Sequence, residues 1–137
     1  KKVTFPELVP TEETEVRTFD LSVSRTQEAY ETGMQNLWNW LRESRHSELN
    51  SRIAHCVEEL LLNTIQHSGQ NASHDIDVLL REDAEEVTAL LKDDGVPFNT
   101  SACLSENKTY GLKLVHHFCP DIEYNYSFGQ NMTLMKM

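Results

Sequence analysis

The segment CVEELLLNTIQHS, residues 56–68, combines a run of leucines with polar side chains that recur at every fourth position. A helix turns by about 100° per residue, so side chains four positions apart differ by about 40° around its axis. On a helix predicted from about residue 51 to residue 67, one continuous polar ridge therefore consists of His55, Glu59, Asn63 and His67. Because Asn lowers helix propensity relative to Ala or Leu, Asn63 beside apolar positions in the interior of this helix is a candidate functional residue. A solvated helix face is the alternative explanation for any single residue of this ridge.

The apolar side of the same helix lies beside the polar ridge. The residues that we expect to face a β-sheet are Ile53, Cys56, Val57, Leu60 and Thr64. The ridge then follows the border of the buried face, where a cleft between helix and sheet can open. Glu58 lies about 100° from Glu59 around the axis, and we expect it to be a solvated neighbour.

Two further stretches carry residues suited to binding a nucleotide. KDDGVPF ends a predicted strand with Asp93 and Gly95. A carboxylate there can accept a hydrogen bond from an exocyclic amine such as that of adenine, and glycine lets a ligand approach the backbone. TYGLKLV places Gly111 at the start of a predicted helix, where free N–H groups and the positive end of the helix dipole attract phosphate. The stretch between these two motifs lacks periodicity, which predicts a long loop, and loops of this length in a compact domain are usually functional or mobile.

Composition limits the classes of function. The chain has 137 residues, a net charge of −10 and a pI of about 4.9, which argues against non-specific binding of nucleic acid. Its apolar runs are too short for a membrane span, and the N-terminus lacks the apolar region of a secretory signal. The three cysteines have no C-x-x-C spacing, so we expect free thiols and a cytoplasmic protein.

Hydrophobic periodicity predicts the element order β, α, α, β, β, α, β, β. Adjacent strands favour antiparallel pairing. We therefore expect an α+β two-layer sandwich, with a mixed, mostly antiparallel five-stranded sheet and about three helices on one face. Gly129-Gln130 predicts a hairpin turn of type II′ between the last two strands.

The first helix is predicted from a capping signal and an apolar stripe. Ser24 can cap its N-terminus, with Gln27 as the capping-box partner three residues later. The stripe that should pack on the core consists of Met34, Leu37, Trp38 and Leu41.

In order and spacing, these motifs resemble the GHKL superfamily of ATP-binding domains, and within it the small anti-sigma-factor serine kinases of bacteria. EELLLNTIQH resembles the N-box of that family, E-x-x-x-N-x-x-x-H. DDGVPF resembles its G1 box, D-x-G-x-P-F, and YGLKLVHHF resembles the helix start of its G2 box. The resemblance covers nearly the whole chain from about residue 15. It implies the Bergerat fold, with an N-terminal arm or linker at 1–14 and an ATP-binding domain at 15–137.

The resemblance also implies roles for individual residues. Glu59 would be the general base that deprotonates an attacking hydroxyl, and Asn63 would coordinate Mg²⁺ through its carboxamide oxygen. Asp93 would hold the adenine amino group, and residues 97–110 would form a lid over the triphosphate. The full set of ATP-binding residues that it implies is Asn63, His67, Asp93, Gly95, Pro97, Phe98, Tyr110, Gly111, Leu112 and Lys113.

The expected cofactors are ATP and Mg²⁺, and the expected activity is that of an ATP-dependent protein-serine kinase. The resemblance implies a sigma factor and an anti-anti-sigma protein of the STAS type as partners, and a homodimer. From the net charge and the short apolar runs we expect neither nucleic acid nor a membrane as a partner.

One departure from the family pattern supports an alternative. The G2 box usually reads G-L-G-L, whereas this chain has Lys113 at the second glycine. Lysine adds bulk where the backbone would approach phosphate, although its ammonium can also bind phosphate as a point charge. The alternative is a non-catalytic, protein-binding regulator with a degenerate nucleotide site. The acidic, proline-containing N-terminus and the missing Met also favour the C-terminal domain of a larger signalling protein.

Overall fold

The computed structural model describes residues 16–67, 74–97 and 110–137, and the side chains of 110–112 are outside this description. The predicted arm at 1–14, Phe98 and nearly all of the predicted lid lie outside the described residues. The elements, in chain order, are β1 (Arg17–Val23), α1 (Gln27–Leu41), a 3-10 turn (Ser47–Leu49), α2 (Asn50–His67), β2 (Ile76–Glu82), β3 (Val87–Asp93), α3 (Tyr110–Phe118), β4 (Glu123–Ser127) and β5 (Gln130–Lys136). This order matches the one predicted from periodicity.

The five strands form one sheet in the order β1-β2-β3-β5-β4. Every pairing is antiparallel, so the sheet is not the mixed one that the sequence predicted. The crossover lies at the end of the chain, where β5 inserts between β3 and β4. This insertion places Asn131 of β5 directly opposite Asp93 of β3. The α+β class with helices packed on a sheet is confirmed.

The core lies between the sheet and the helices. Alternation along β2 buries Ile76, Val78 and Leu80, as predicted. The side of α2 predicted to be apolar is buried at Ile53, Cys56, Val57 and Leu60, whereas Thr64 is half-buried. α2 packs against α1, α3 and β3, so it is the central helix of the layer.

The first helix differs from its prediction in two details. Thr26 caps α1, because its side-chain oxygen accepts a hydrogen bond from the Ala29 N–H at 3.1 Å; Ser24 does not. Trp38 is 36% exposed and lies at the border of the stripe. Trp40 packs instead, with its ring centroid 5.7 Å from that of Phe19.

The β4–β5 hairpin also differs from its prediction. Ser127 pairs with Gln130, which leaves a two-residue turn of Phe128 and Gly129. The φ angles of these residues are 54° and 75°, and positive φ at both turn positions defines type I′ rather than the predicted type II′. Phe128 is therefore a bulky side chain in a left-handed conformation, and it is fully exposed.

A buried carboxylate fastens the end of the sheet that is opposite the Asp93 turn. Glu82, at the end of β2, is 0% exposed and accepts a hydrogen bond from the Ser44 hydroxyl. The Arg17 guanidinium lies 3.3 Å from Glu82 Oε1, and the Arg45 N–H donates to Oε2 at 3.3 Å. This cluster ties β1 and β2 to the connection between α1 and α2.

Among the helices described, none combines the length and the apolar character needed to cross a lipid bilayer.

Candidate functional site

The structure contains the polar ridge of α2, and the burial of its residues differs along the helix. His55 and Glu59 are half-buried, Asn63 is only 7% exposed, and His67 is exposed as the last residue of the helix. The ridge therefore does not form a solvated helix face around Asn63. A buried carboxamide in the middle of a helix is costly unless its polar atoms have partners.

The structure shows how Asn63 is held. Its amide nitrogen donates to the Glu59 carbonyl, one turn earlier, at 2.7 Å. The next residue does the same, since the Thr64 hydroxyl donates to the Leu60 carbonyl at 2.8 Å. Because the nitrogen of Asn63 is bound to its own helix, the oxygen is the atom that remains to coordinate a cation. A carboxamide oxygen is a hard ligand of the kind that Mg²⁺ prefers, so Asn63 fits the ion that the resemblance implies.

The turn after β3 is built around the Asp93 carboxylate. Asp93 Oδ1 accepts a hydrogen bond from the Gly95 N–H at 2.8 Å, the local pattern by which an aspartate closes its own turn. Gly95 is buried, and Pro97 is exposed at the end of the described segment. Asp93 itself is half-buried at the strand end.

A cation lies beside this turn. The Arg25 guanidinium, from the connection between β1 and α1, lies 3.4 Å from Asp94 Oδ1 and 4.0 Å from Asp93 Oδ1. Arg25 also donates to the His74 carbonyl just before β2, and His74 Nδ1 lies 2.8 Å from Asp94 Oδ2. Asp94 therefore links the turn to the β1–α1 connection through Arg25 and to the start of β2 through His74. Asp93, in contrast, is hydrogen-bonded to Gly95 and to Asn131 of β5.

Asn131 is a site residue that the sequence analysis missed. Its amide nitrogen lies 3.2 Å from Asp93 Oδ1, 3.3 Å from the Gly95 carbonyl and 3.0 Å from the Val96 carbonyl. Its oxygen accepts a hydrogen bond from the Tyr124 hydroxyl of β4. The only signal in the sequence is an asparagine within a predicted strand, since this residue type is depleted in strands.

α3 lies beside the ridge and supplies the third part of the site. It begins at Tyr110 and packs against α2. Lys113 is exposed in its first turn, so the ammonium is accessible to an anion at this helix end. Gly111 and Leu112 belong to the same turn.

The structure thus brings Glu59 and Asn63 together on one helix, which packs against both β3 and α3. Asp93 and Gly95 share one turn at the end of β3, and Lys113 lies at the start of α3. The role of each residue in binding ATP stays a prediction, and Phe98 lies outside the described residues.

With this architecture, the chain belongs to the family of histidine kinase-like ATPase domains, whose family model matches residues 23–137. The resemblance to GHKL domains is confirmed by this match. The match covers all three motifs and thereby includes the N-box, the Asp93 turn and the α3 start.

A solved structure with a similar fold is that of the RsbU and RsbW domains of Rv1364c from Mycobacterium tuberculosis. The TM-score is 0.63 at 18% sequence identity, which shows a common fold. The similarity covers 88% of this chain and 32% of that one, so this chain spans about a third of the length of that structure. A comparison with curated proteins gives no match.

Proposed function

We propose that this chain is an ATP-binding regulatory domain that acts as a protein-serine kinase on an anti-anti-sigma protein. The observation that carries the proposal is the arrangement of Glu59 and Asn63 on α2. Asn63 is buried and fixed by the carbonyl of Glu59, so a candidate base and a candidate magnesium ligand occupy successive turns in one rigid frame. Membership of an ATPase-domain family supports ATP as the ligand.

In the proposed complex, the adenine amino group donates to Asp93, and Gly95 allows the base to approach the backbone. The phosphates extend toward the N-terminus of α3, where free backbone N–H groups and Lys113 offset their charge. His67, Pro97, Phe98, Tyr110 and Leu112 complete the proposed contacts, with residues 97–110 closing over the triphosphate. Mg²⁺ on the oxygen of Asn63 would supply further neutralisation of the phosphate charge.

The proposed reaction transfers one phosphoryl group. Glu59 accepts the proton of a serine hydroxyl while the serine oxygen forms a bond to the γ-phosphorus. The bond between that phosphorus and the β,γ-bridging oxygen breaks, and ADP leaves with the electron pair. Glu59 is half-buried on α2, one turn before the proposed magnesium ligand Asn63.

A second candidate function rests on Lys113. Its side chain is exposed in the first turn of α3, at the position where the family pattern has glycine. A regulator that captures partners without transferring phosphate would tolerate this lysine. In that case the fold would serve protein binding alone, and the nucleotide site would be degenerate.

The proposed partners are a sigma factor and an anti-anti-sigma protein of the STAS type, and the proposed assembly is a homodimer in the cytoplasm. The structure of Rv1364c holds two domains, named RsbU and RsbW, and this chain corresponds to about a third of it. This coverage supports the further proposal that the chain functions as one domain of a larger signalling protein.

Transfer of radiolabelled γ-phosphate from ATP to purified STAS-type proteins tests the kinase function. We expect transfer by the wild type, and a loss of about 10²-fold or more in Glu59→Gln, because a general base contributes at least that factor. Glu85→Gln is the matched control, since Glu85 is exposed in the turn between β2 and β3. Undiminished transfer by Glu59→Gln would exclude Glu59 as the base. Partner capture with ATP binding but no transfer would favour the second candidate.

A further inference from the structure

A mixed group of metal-ligating side chains lies on α2, one turn before Asn63. One ring nitrogen of His55 and one carboxylate oxygen each of Glu58 and Glu59 all lie within 4.8 Å of one another. Within the described parts of the chain, this is the only set of three or more such side chains close enough to share an ion. The spacing i, i+3, i+4 places all three on one helix face.

This group is held by elements other than α2. Tyr30 of α1 is buried, and its hydroxyl is hydrogen-bonded to Glu58. Glu58 is therefore half-buried and oriented by a neighbouring helix, and the expectation that it is only a solvated neighbour was wrong.

The imidazole is also constrained from the side of α3. The rings of His55 and Phe118 meet edge to face, with centroids 5.8 Å apart and planes at 86°. A ring packed in this way has fewer orientations to lose when one of its nitrogens coordinates an ion. Outer residues that fix ligands in this manner are a general feature of metal sites in proteins.

We propose that His55, Glu58 and Glu59 form a binding site for a zinc-class divalent transition metal, separate from the magnesium proposed at Asn63. One imidazole and two carboxylates are the donor set that Zn²⁺ accepts, whereas Mg²⁺ prefers oxygen ligands alone. Three protein ligands leave a fourth, tetrahedral position for water. The charge also fits, because two carboxylates offset the two charges of the ion.

The site would regulate the proposed kinase, and this part rests on the proposed function. Glu59 belongs to both arrangements. Coordination to Zn²⁺ lowers the basicity of a carboxylate and makes it a poorer acceptor for the proton of a serine hydroxyl, so zinc is expected to inhibit phosphoryl transfer. His55 and Glu58 would then make the catalytic base sensitive to a second ion.

Calorimetric titration of the whole chain with Zn²⁺, without nucleotide, tests the site directly. We expect one ion per chain, and an affinity that falls by about tenfold or more in His55→Ala and in Glu58→Gln. Tyr30→Phe should weaken binding by a smaller factor, since it removes only the hydrogen bond to Glu58. His116→Ala is the control, because His116 is exposed on α3 and should leave the affinity unchanged.

Binding of Co²⁺ provides a second readout through its visible absorption, which should show nitrogen and oxygen ligands and no thiolate charge-transfer band. Circular dichroism verifies that each variant is folded. The proposal is overturned if the wild type binds no zinc. It is also overturned if His55→Ala and Glu58→Gln bind as tightly as the wild type. Since no ATP is present, failure of the kinase proposal does not affect this result.

Discussion

The side chain of Asn131 is hydrogen-bonded to that of Asp93, with Nδ2 3.2 Å from Oδ1, although 38 residues separate them in the chain. The same nitrogen reaches the carbonyls of Gly95 and Val96. The Asp93 turn, which follows β3, is therefore also hydrogen-bonded to β5. The position of the proposed adenine-binding carboxylate depends on a residue that belongs to none of the three motifs.

Replacing Asn131 with Ala should loosen the Asp93 turn and weaken ATP binding. The two N–H groups of the Asn131 amide are shared among three acceptors, and each net hydrogen bond that is lost costs about 1 kcal/mol. We expect unfolding in urea to show a loss of about 1–3 kcal/mol, and calorimetry to show about tenfold weaker ATP binding.

Asn125→Ala is the matched control for this substitution. Asn125 is exposed on β4, and its side chain accepts a hydrogen bond only from the nearby Ser127 hydroxyl among the bonds described. An equal loss of ATP affinity in Asn125→Ala and Asn131→Ala would show that the hydrogen bonds from Asn131 to the Asp93 turn do not determine the affinity for ATP.

Glu82 should make stability depend on pH in the acid range. Burial alone would raise the pKa of its carboxyl, but the bonds from Ser44, Arg45 and Arg17 outweigh burial and hold the pKa below its ordinary value of about 4.5. A lowered folded-state pKa means that the stabilisation is complete above pH 4.5. It is lost as the pH falls from there through the folded-state pKa.

Glu82→Gln should lower the free energy of unfolding by about 2–4 kcal/mol at neutral pH, since it leaves two guanidinium groups beside a neutral amide. The difference from the wild type should shrink as the pH falls below 4.5. Glu85→Gln, in an exposed position, should be neutral. Urea unfolding across this pH range measures both quantities, and a constant difference at every pH would contradict the account.

Phe128→Asn should stabilise the protein. Phe128 has a φ of 54° and its side chain is fully exposed, so it adopts a left-handed conformation without compensating contacts in the described part of the chain. Asn followed by Gly129 is the sequence that type I′ turns favour. We expect a gain of about 1 kcal/mol in the free energy of unfolding. A loss of stability would show that the exposed ring has a stabilising role.

Cys56 and Cys119 should resist thiol reagents in the folded protein. Burial raises the pKa of the Cys56 thiol to about 12 and also raises that of Cys119. The reactive thiolate is then scarce at neutral pH. Mass spectrometry after alkylation should show both residues unmodified in the native state and fully modified in denaturant. Rapid native modification of either residue would contradict their burial.

The sequence was sufficient for the features that depend on neighbouring residues. The polar ridge of α2, the alternation of β2 and the Asp93 strand end all follow from periodicity or from short motifs, and the structure contains each of them. Family membership could be inferred because three such motifs occur in one order.

Features that depend on distant pairing could not be predicted. Nothing local indicates that β5 inserts between β3 and β4, so the bonds from Asn131 to the Asp93 turn had no sequence signal beyond an unusual buried polar residue. The type II′ prediction for the β4–β5 turn is wrong because Phe128 adopts a positive φ, which bulky residues seldom do. The helical angle of Glu58 does not indicate that Tyr30 faces it from α1.

The central claim is that Asn63 and Asp93 bind one Mg-ATP molecule. Isothermal titration of the wild type with Mg-ATP should show one site per chain. Asn63→Ala and Asp93→Asn should each weaken binding by about tenfold or more, since one removes the ion ligand and the other the adenine acceptor. Asn36→Ala and Asp20→Asn, both at exposed positions, should bind like the wild type. Wild-type affinity in both Asn63→Ala and Asp93→Asn would contradict the claim.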